Sequence, residues 1–126
     1  MNSWKYFNPT IDKKMVCSCG CGRMELKDEF MQKVIKMREI VSEPFAITSG
    51  FRCPDHNNKV SSTGFRGPHT TGRALDIAVT GSRMRYKLIE AAMKVGINRI
   101  GIGKNFVHVD DLTFFDGFDE DVIWPY

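Results

Sequence analysis

The sequence has no long apolar run. No segment approaches the ~18 consecutive apolar residues of a membrane-spanning helix, and no apolar stretch follows the lysines of the N-terminal MNSWKYFNPTIDKK. A secretion signal needs such a stretch, so the chain is expected to be made in the cytoplasm without a signal peptide and to have no membrane partner. Charge of one sign is not in excess: 18 Lys and Arg face 15 Asp and Glu, for a net charge of +3 and a pI near 8.7. That excludes the dense basic stripe of a nucleic-acid binder and leaves a mild bias toward an anionic partner such as a cell-wall polymer. A CxxC pair is missing, which sets aside thioredoxin-like redox chemistry. Repeats, low-complexity stretches and linkers are missing too. With 126 residues, 42% of them hydrophobic, one domain spanning 1–126 and acting as a monomer is expected, with a Cys-rich segment at 1–25 packed on it.

What is present starts with four cysteines, three of them in CSCGCG at 17–22. In an extended chain Cys17, Cys19 and Cys21 would project from one face at ~7 Å intervals. Thiolates on one tetrahedral zinc lie roughly 4 Å apart, so a shared ion requires the backbone to curl, which Gly20 and Gly22 permit. Cys53 either completes a four-cysteine structural metal site or pairs with one of the three. Without a secretion signal, thiols or metal ligands are favoured over disulfides. Residue spacing leaves all three readings open: buried or turn-forming thiols, a structural ion on Cys17, Cys19, Cys21 and Cys53, or a disulfide.

Periodicity supplies the architecture. Phe30, Val34, Met37 and Val41 recur at helical spacing within 26–41, with Pro44 beyond as a stop. Met84, Leu88, Ala91, Ala92 and Val95 mark a second helix, with Ser82 as N-cap and Gly96 as terminator. Strands are expected at 45–48, 74–79, 99–102, 106–110 and 122–124. Three strands in succession after the second helix favour an antiparallel α+β sheet over a doubly wound parallel one.

Three stretches concentrate the chemistry: SGFR (49–52), HTTGRALDIAV (69–79) and FVHVDD (106–111), which hold two of the three histidines. Asp76 alternates with the apolar Leu75 and Ile77. His108 and Asp110 share one strand face while Val107 and Val109 take the other. Two imidazoles and a carboxylate suit Zn²⁺, and three protein ligands with a fourth position left for water is the pattern of a catalytic site. The third histidine, His56 in CPDHNNK, is expected to serve a local turn.

The motifs SGFRCPDHN (49–57), PHTTGRALD (68–76) and FVHVD (106–110) resemble those of the zinc D-alanyl-D-alanine carboxypeptidases and L-alanyl-D-glutamate endopeptidases, whose fold is shared with the Hedgehog signalling domain. The resemblance implies a small antiparallel sheet covered by two main helices and a catalytic Zn²⁺ bound by His69, Asp76 and His108. It implies that Arg52 is catalytic or substrate-binding, holding a stem-peptide carboxylate or polarising the scissile carbonyl. A guanidinium fork suits either task. The implied substrate is the peptidoglycan stem peptide, cleaved next to a D-amino acid by a phage or prophage lysin or a wall-remodelling enzyme, released to the wall by a separate lesion protein. Small phage-type members also carry a Cys and Gly cluster before the first helix.

The chain departs from this pattern in three places. Pro68 stands where Ser is usual, the loop between Gly96 and His108 is very short, and Asn105 and Phe106 occupy positions where many members place a general base. Asp110 is the nearest candidate for that base, and its other reading is a partner that fixes a ligand imidazole. Asp111 is a poorer candidate because alternation points it away. The competing functional reading is a zinc-containing wall-binding or partner-binding module without catalysis. The final DVIWPY (121–126) reads as a last strand whose Trp packs on the core, or as aromatics stacked on sugars.

Overall fold

Two segments of strict alternation, Ala74–Ala78 (β2) and Phe106–Asp110 (β4), pair antiparallel at the centre of a five-stranded sheet. The structure, a computed structural model, describes residues 4–126; residues 1–3 of the expected domain span lie outside the described residues. The other strands are Ile47–Ser49 (β1), Arg99–Ile102 (β3) and Val122–Pro125 (β5), and the sheet order is β1-β2-β4-β3-β5. On one face Leu75, Ile77, Ile100, Val107 and Val109 are buried in the core. The opposite face carries Asp76, Arg99, His108 and Asp110.

The fold is α+β, and one pairing departs from the expected antiparallel sheet: β3 and β5 run parallel. The reason lies in where β4 stops. Asp110 ends β4 opposite Arg99, the first residue of β3. The short connection that follows, with a 3-10 turn at Phe114–Asp116, stays at that end of the sheet. It therefore starts β5 beside Arg99 (Arg99 pairs with Val122) and sends it in β3's direction.

Helix α1 (Asp28–Val41) opens on Asp28 and Glu29, whose charges suit the positive end of the helix dipole, and ends at Ser42 in the left-handed region at φ 56°. Its buried stripe is Phe30, Met31, Val34, Ile35, Met37 and Val41. A second helix, α2 (Pro54–Val60), occupies a stretch expected to be a turn. Proline at its first position and the Cys53 side chain accepting the His56 N–H give it a defined start. Helix α3 (Ser82–Lys94) is capped by Gly81, not Ser82, which is already helical. It buries Leu88, Ala91 and Ala92, and the small alanines let it lie close against α1. Trp4, Phe7, Met15 and Cys17 enter the same core from the N-terminal segment. Among the described residues no helix is long and apolar enough to cross a membrane.

Asp111, directly after β4, faces the helices. Arg73 grips it through both oxygens (Nε to Oδ1 2.8 Å, Nη2 to Oδ2 2.7 Å), and Lys33 of α1 adds a third bond at 2.8 Å. The Asp111 side chain is only 2% exposed. This pairing matters more than exposed ones such as Lys5–Glu39, which solvent screens to about 0–1 kcal/mol. Burial by itself would raise the Asp111 carboxyl, but the bonds from Arg73 and Lys33 outweigh it and hold it below the usual carboxylate range. The stabilisation is therefore present above the ordinary carboxylate pKa and lost as pH falls through the lowered value. Asp111→Asn should destabilise the fold at pH 7 by about 2 kcal/mol. The gap from wild type should close as denaturation is measured at pH values progressively below ~4; a gap independent of pH would contradict this.

Candidate metal centre and cleft

The β2–β4 register sets Asp76 directly across from His108. Asp76 Oδ1 lies 2.9 Å from His108 Nδ1 and 3.3 Å from Nε2 of His69. His69 comes from outside the sheet, on a 3-10 turn at Pro68–Thr70. The Arg52 N–H donates to the His69 carbonyl at 3.1 Å, and His69 Nδ1 donates to the Gly50 carbonyl at 2.7 Å. A carbonyl can only accept, so this bond places the proton on Nδ1 and aims Nε2 at Asp76. Pro68, where the resemblance suggested Ser, forms the first residue of this turn and still delivers the imidazole.

These three groups fit zinc. Bonds of ~2.0–2.1 Å place tetrahedral donors roughly 3.3 Å apart, and the two spacings at Asp76 lie close to that value. The ligand atoms of His69, Asp76 and His108 all fall within 4.8 Å of one another. Each imidazole has its remote nitrogen committed: His69 to Gly50, and His108 Nε2 to Asp110 Oδ2 at 2.6 Å. Such bonds fix the tautomer and ring plane of a metal ligand.

Burial by itself would raise the Asp76 carboxyl. The hydrogen bonds from His108 and His69 prevail, and they hold it well below the usual carboxylate range. For His108 burial pushes the other way, toward the neutral ring, yet the flanking carboxylates of Asp110 and Asp76 raise it overall. The site therefore carries an anionic Asp76 facing inward, which is the charge a divalent cation would meet.

Asp110 stands behind His108. It is 0% exposed, and both of its oxygens are taken. Oδ2 accepts from His108, and Oδ1 accepts from Arg99 Nε at 2.8 Å and from the Leu112 N–H at 3.1 Å. Its bond goes to the imidazole nitrogen remote from Asp76, so the general-base reading of Asp110 finds no support in this geometry. Arg99, which residue spacing did not single out, donates its Nη1 to the Asp119 carbonyl at 2.7 Å and lies 5.0 Å from the ring of Trp124.

The cleft in front of the three groups has a volume of about 570 Å³ and is bordered by Arg52, Trp124 and Tyr126. Arg52 is anchored by Asn57 of α2, through Nη1 to Oδ1 at 3.1 Å. Asn57 is itself 1% exposed, and its amide nitrogen donates to Thr63 and the Gly64 carbonyl. One side chain thus ties the arginine to the loop that forms the cleft's edge. In the sequence Asn57 gave only a turn signal. Trp124 is half-buried with its ring 5.5 Å from that of His108, so the last strand forms as expected while its tryptophan walls the cleft. Gly101 makes this possible: a Cβ there would come within 2.9 Å of the Trp124 and Tyr126 rings. His56 does not serve a local turn as expected: it lies within α2, and its Nε2 reaches Ser18 Oγ of the N-terminal segment at 3.0 Å.

Among the described residues that line this cleft, Asp76 is the only carboxylate. The four cysteines form a separate cluster near the N-terminus of α2 and do not border it.

Two comparisons with known proteins return nothing: no curated protein and no solved structure matches the chain significantly. A third does. The family model described as Peptidase M15 matches residues 6–110, which covers His69, Asp76, His108 and Arg52. With its α+β sheet and zinc-compatible donor set, the chain belongs to the peptidase M15 family, the zinc metallopeptidases of the D-Ala-D-Ala carboxypeptidase type.

Proposed function

We propose that this protein hydrolyses a peptide bond adjoining a D-amino acid in the peptidoglycan stem peptide, as a phage or prophage lysin or a wall-remodelling enzyme acting after release from the cytoplasm. The observation that carries this reading is the convergence of His69, Asp76 and His108 at the floor of a cleft that also presents Arg52. Zinc, when bound, supplies Lewis-acid polarisation of a carbonyl and acidification of water toward neutral pH.

The chain's own residues divide the remaining work. With His69 Nδ1 committed to Gly50 and His108 Nε2 to Asp110, the nitrogens facing Asp76 are the ones that would give up their protons to a metal ion. Asp110, locked by Arg99, is a positioning residue for His108. Arg52 binds a substrate carboxylate through its fork, and its bond to Asn57 means little rotamer freedom is lost when it does so. Trp124 and Tyr126 present flat apolar surface to the substrate and reduce access of bulk water to His108.

One observation favours the second reading, a metal-holding wall-binding module: among the described residues, no carboxylate apart from Asp76 lines the cleft to take a proton from water. Mass analysis of purified stem peptides after incubation with wild-type protein separates the two. New fragments cut beside a D-residue support the peptidase, and binding without fragments across several wall chemistries would sink it.

His69→Ala and His108→Ala should each remove the cleft zinc and abolish hydrolysis; full activity in a zinc-free variant would overturn the assignment. Asp110→Asn should weaken zinc binding about 10–100-fold, with activity restored by added zinc. A loss of kcat with zinc affinity unchanged would instead make Asp110 the proton acceptor. Arg52→Ala should raise KM about tenfold or more, the equivalent of one charge-assisted hydrogen bond, with a smaller change in kcat.

A further inference from the structure

The cysteine cluster is not used by the cleft, and its geometry is that of a metal centre in its own right. Cys17 Sγ lies 3.5 Å from Cys19 Sγ, which lies 3.7 Å from Cys53 Sγ. All four sulfurs, Cys21 included, fall within 4.8 Å of one another. A tetrahedron with Zn–S bonds of ~2.3 Å has edges of roughly 3.8 Å. The four are free thiols.

The backbone has the curl that this requires. Gly20 and Gly22 sit at φ +93° and +77°, values that a residue with a Cβ rarely adopts. The Cys17 N–H donates to the Arg23 carbonyl at 3.0 Å, closing the loop that carries Cys19 and Cys21. Two further backbone N–H groups point at sulfur rather than oxygen: that of Cys53 at Cys17 Sγ, 3.3 Å, and that of His56 at Cys53 Sγ, 3.4 Å. Donors aimed at sulfur favour thiolates, the form that binds metal.

We propose that Cys17, Cys19, Cys21 and Cys53 hold a structural zinc ion, distinct from the site in the cleft. Four thiolate donors fill the tetrahedron and leave no open position, so the ion is structural, and an all-sulfur tetrahedral set selects a thiophilic metal. The ion ties residues 17–21 to the N-cap of α2. The stretch beside it is the one that serves the cleft: Gly50 accepts the His69 proton, the Phe51 N–H donates to the Met15 carbonyl at 3.3 Å, and Arg52 precedes Cys53. A metal clamp here holds Gly50 and Arg52 at fixed distance from the sheet.

The assignment stands independently of the reaction in the cleft and is tested by metal counting on the full chain purified under reducing conditions. Wild type should carry about two zinc per chain, His69→Ala/His108→Ala about one, and Cys19→Ser/Cys21→Ser about one. The last pair changes only exposed side chains, so the core stays intact. Cobalt loaded into the His double variant should give the intense near-ultraviolet sulfur-to-cobalt charge-transfer band, absent after Cys19→Ser/Cys21→Ser. Should the His variant not fold, the wild-type count decides alone. The proposal is overturned by about one zinc in wild type with four freely reactive thiols, by disulfides in its intact mass, or by an iron–thiolate spectrum.

Discussion

The register between β2 and β4 is the constraint on which the site depends, because it places Asp76 and His108 as direct cross-strand neighbours. Side chains on a sheet alternate, so a slip of β4 by one residue would turn His108 and Asp110 into the core and Val107 and Val109 out of it. The hydrophobic requirement of one face thus aligns the polar chemistry of the other. Leu75, Ile77, Val107 and Val109 are all 0% exposed, and at ~25 cal/mol per Å² of buried apolar surface the native register outweighs any shifted one.

Burying ionisable groups at the sheet's centre is costly unless each is paired. The structure meets that condition with a continuous chain of partners: Arg99 to Asp110, Asp110 to His108, His108 to Asp76, and Asp76 to His69. β3 supplies Arg99, β4 both Asp110 and His108, and β2 Asp76, while His69 reaches the chain from outside the sheet. The parallel placement of β5 completes the wall by bringing Trp124 alongside Gly101, where no side chain obstructs it. The same sheet that makes the core therefore fixes the metal-facing geometry and shields it.

His69 and Arg52 depend on a different part of the molecule. They sit on irregular backbone, and what holds them is a set of local bonds around Gly50, Cys53 and Asn57. The N-terminal segment contributes here through Met15 and Cys17, both buried. Loops that carry functional groups need such bracing because they lack the ladder of hydrogen bonds that a strand provides. In this protein the bracing comes from α2 and the cysteine-bearing turn, which together replace the rigidity of an additional strand.

Much of this was legible in the residues themselves. The alternation of ALDIA and FVHVD, the helical spacing in α1 and α3, and the offsets among His69, Asp76 and His108 each follow from periodicity or motif. These depend on local geometry, which the chain carries with it. Three things were decided only by tertiary structure. Asp110 could have faced the cleft or the back of His108, and Arg99, remote in sequence, draws it to the back. CPDHNNK read as a turn because seven residues give a weak helical signal, and Cys53 and Pro54 start a helix there only once that segment is docked. The cysteines, spaced too widely in an extended chain to share anything, converge because Gly20 and Gly22 fold the turn and Cys53 is brought to it from 32 residues beyond Cys21. Local pattern determined which residues carry the chemistry; long-range pairing, which no local pattern encodes, decided which atoms face one another.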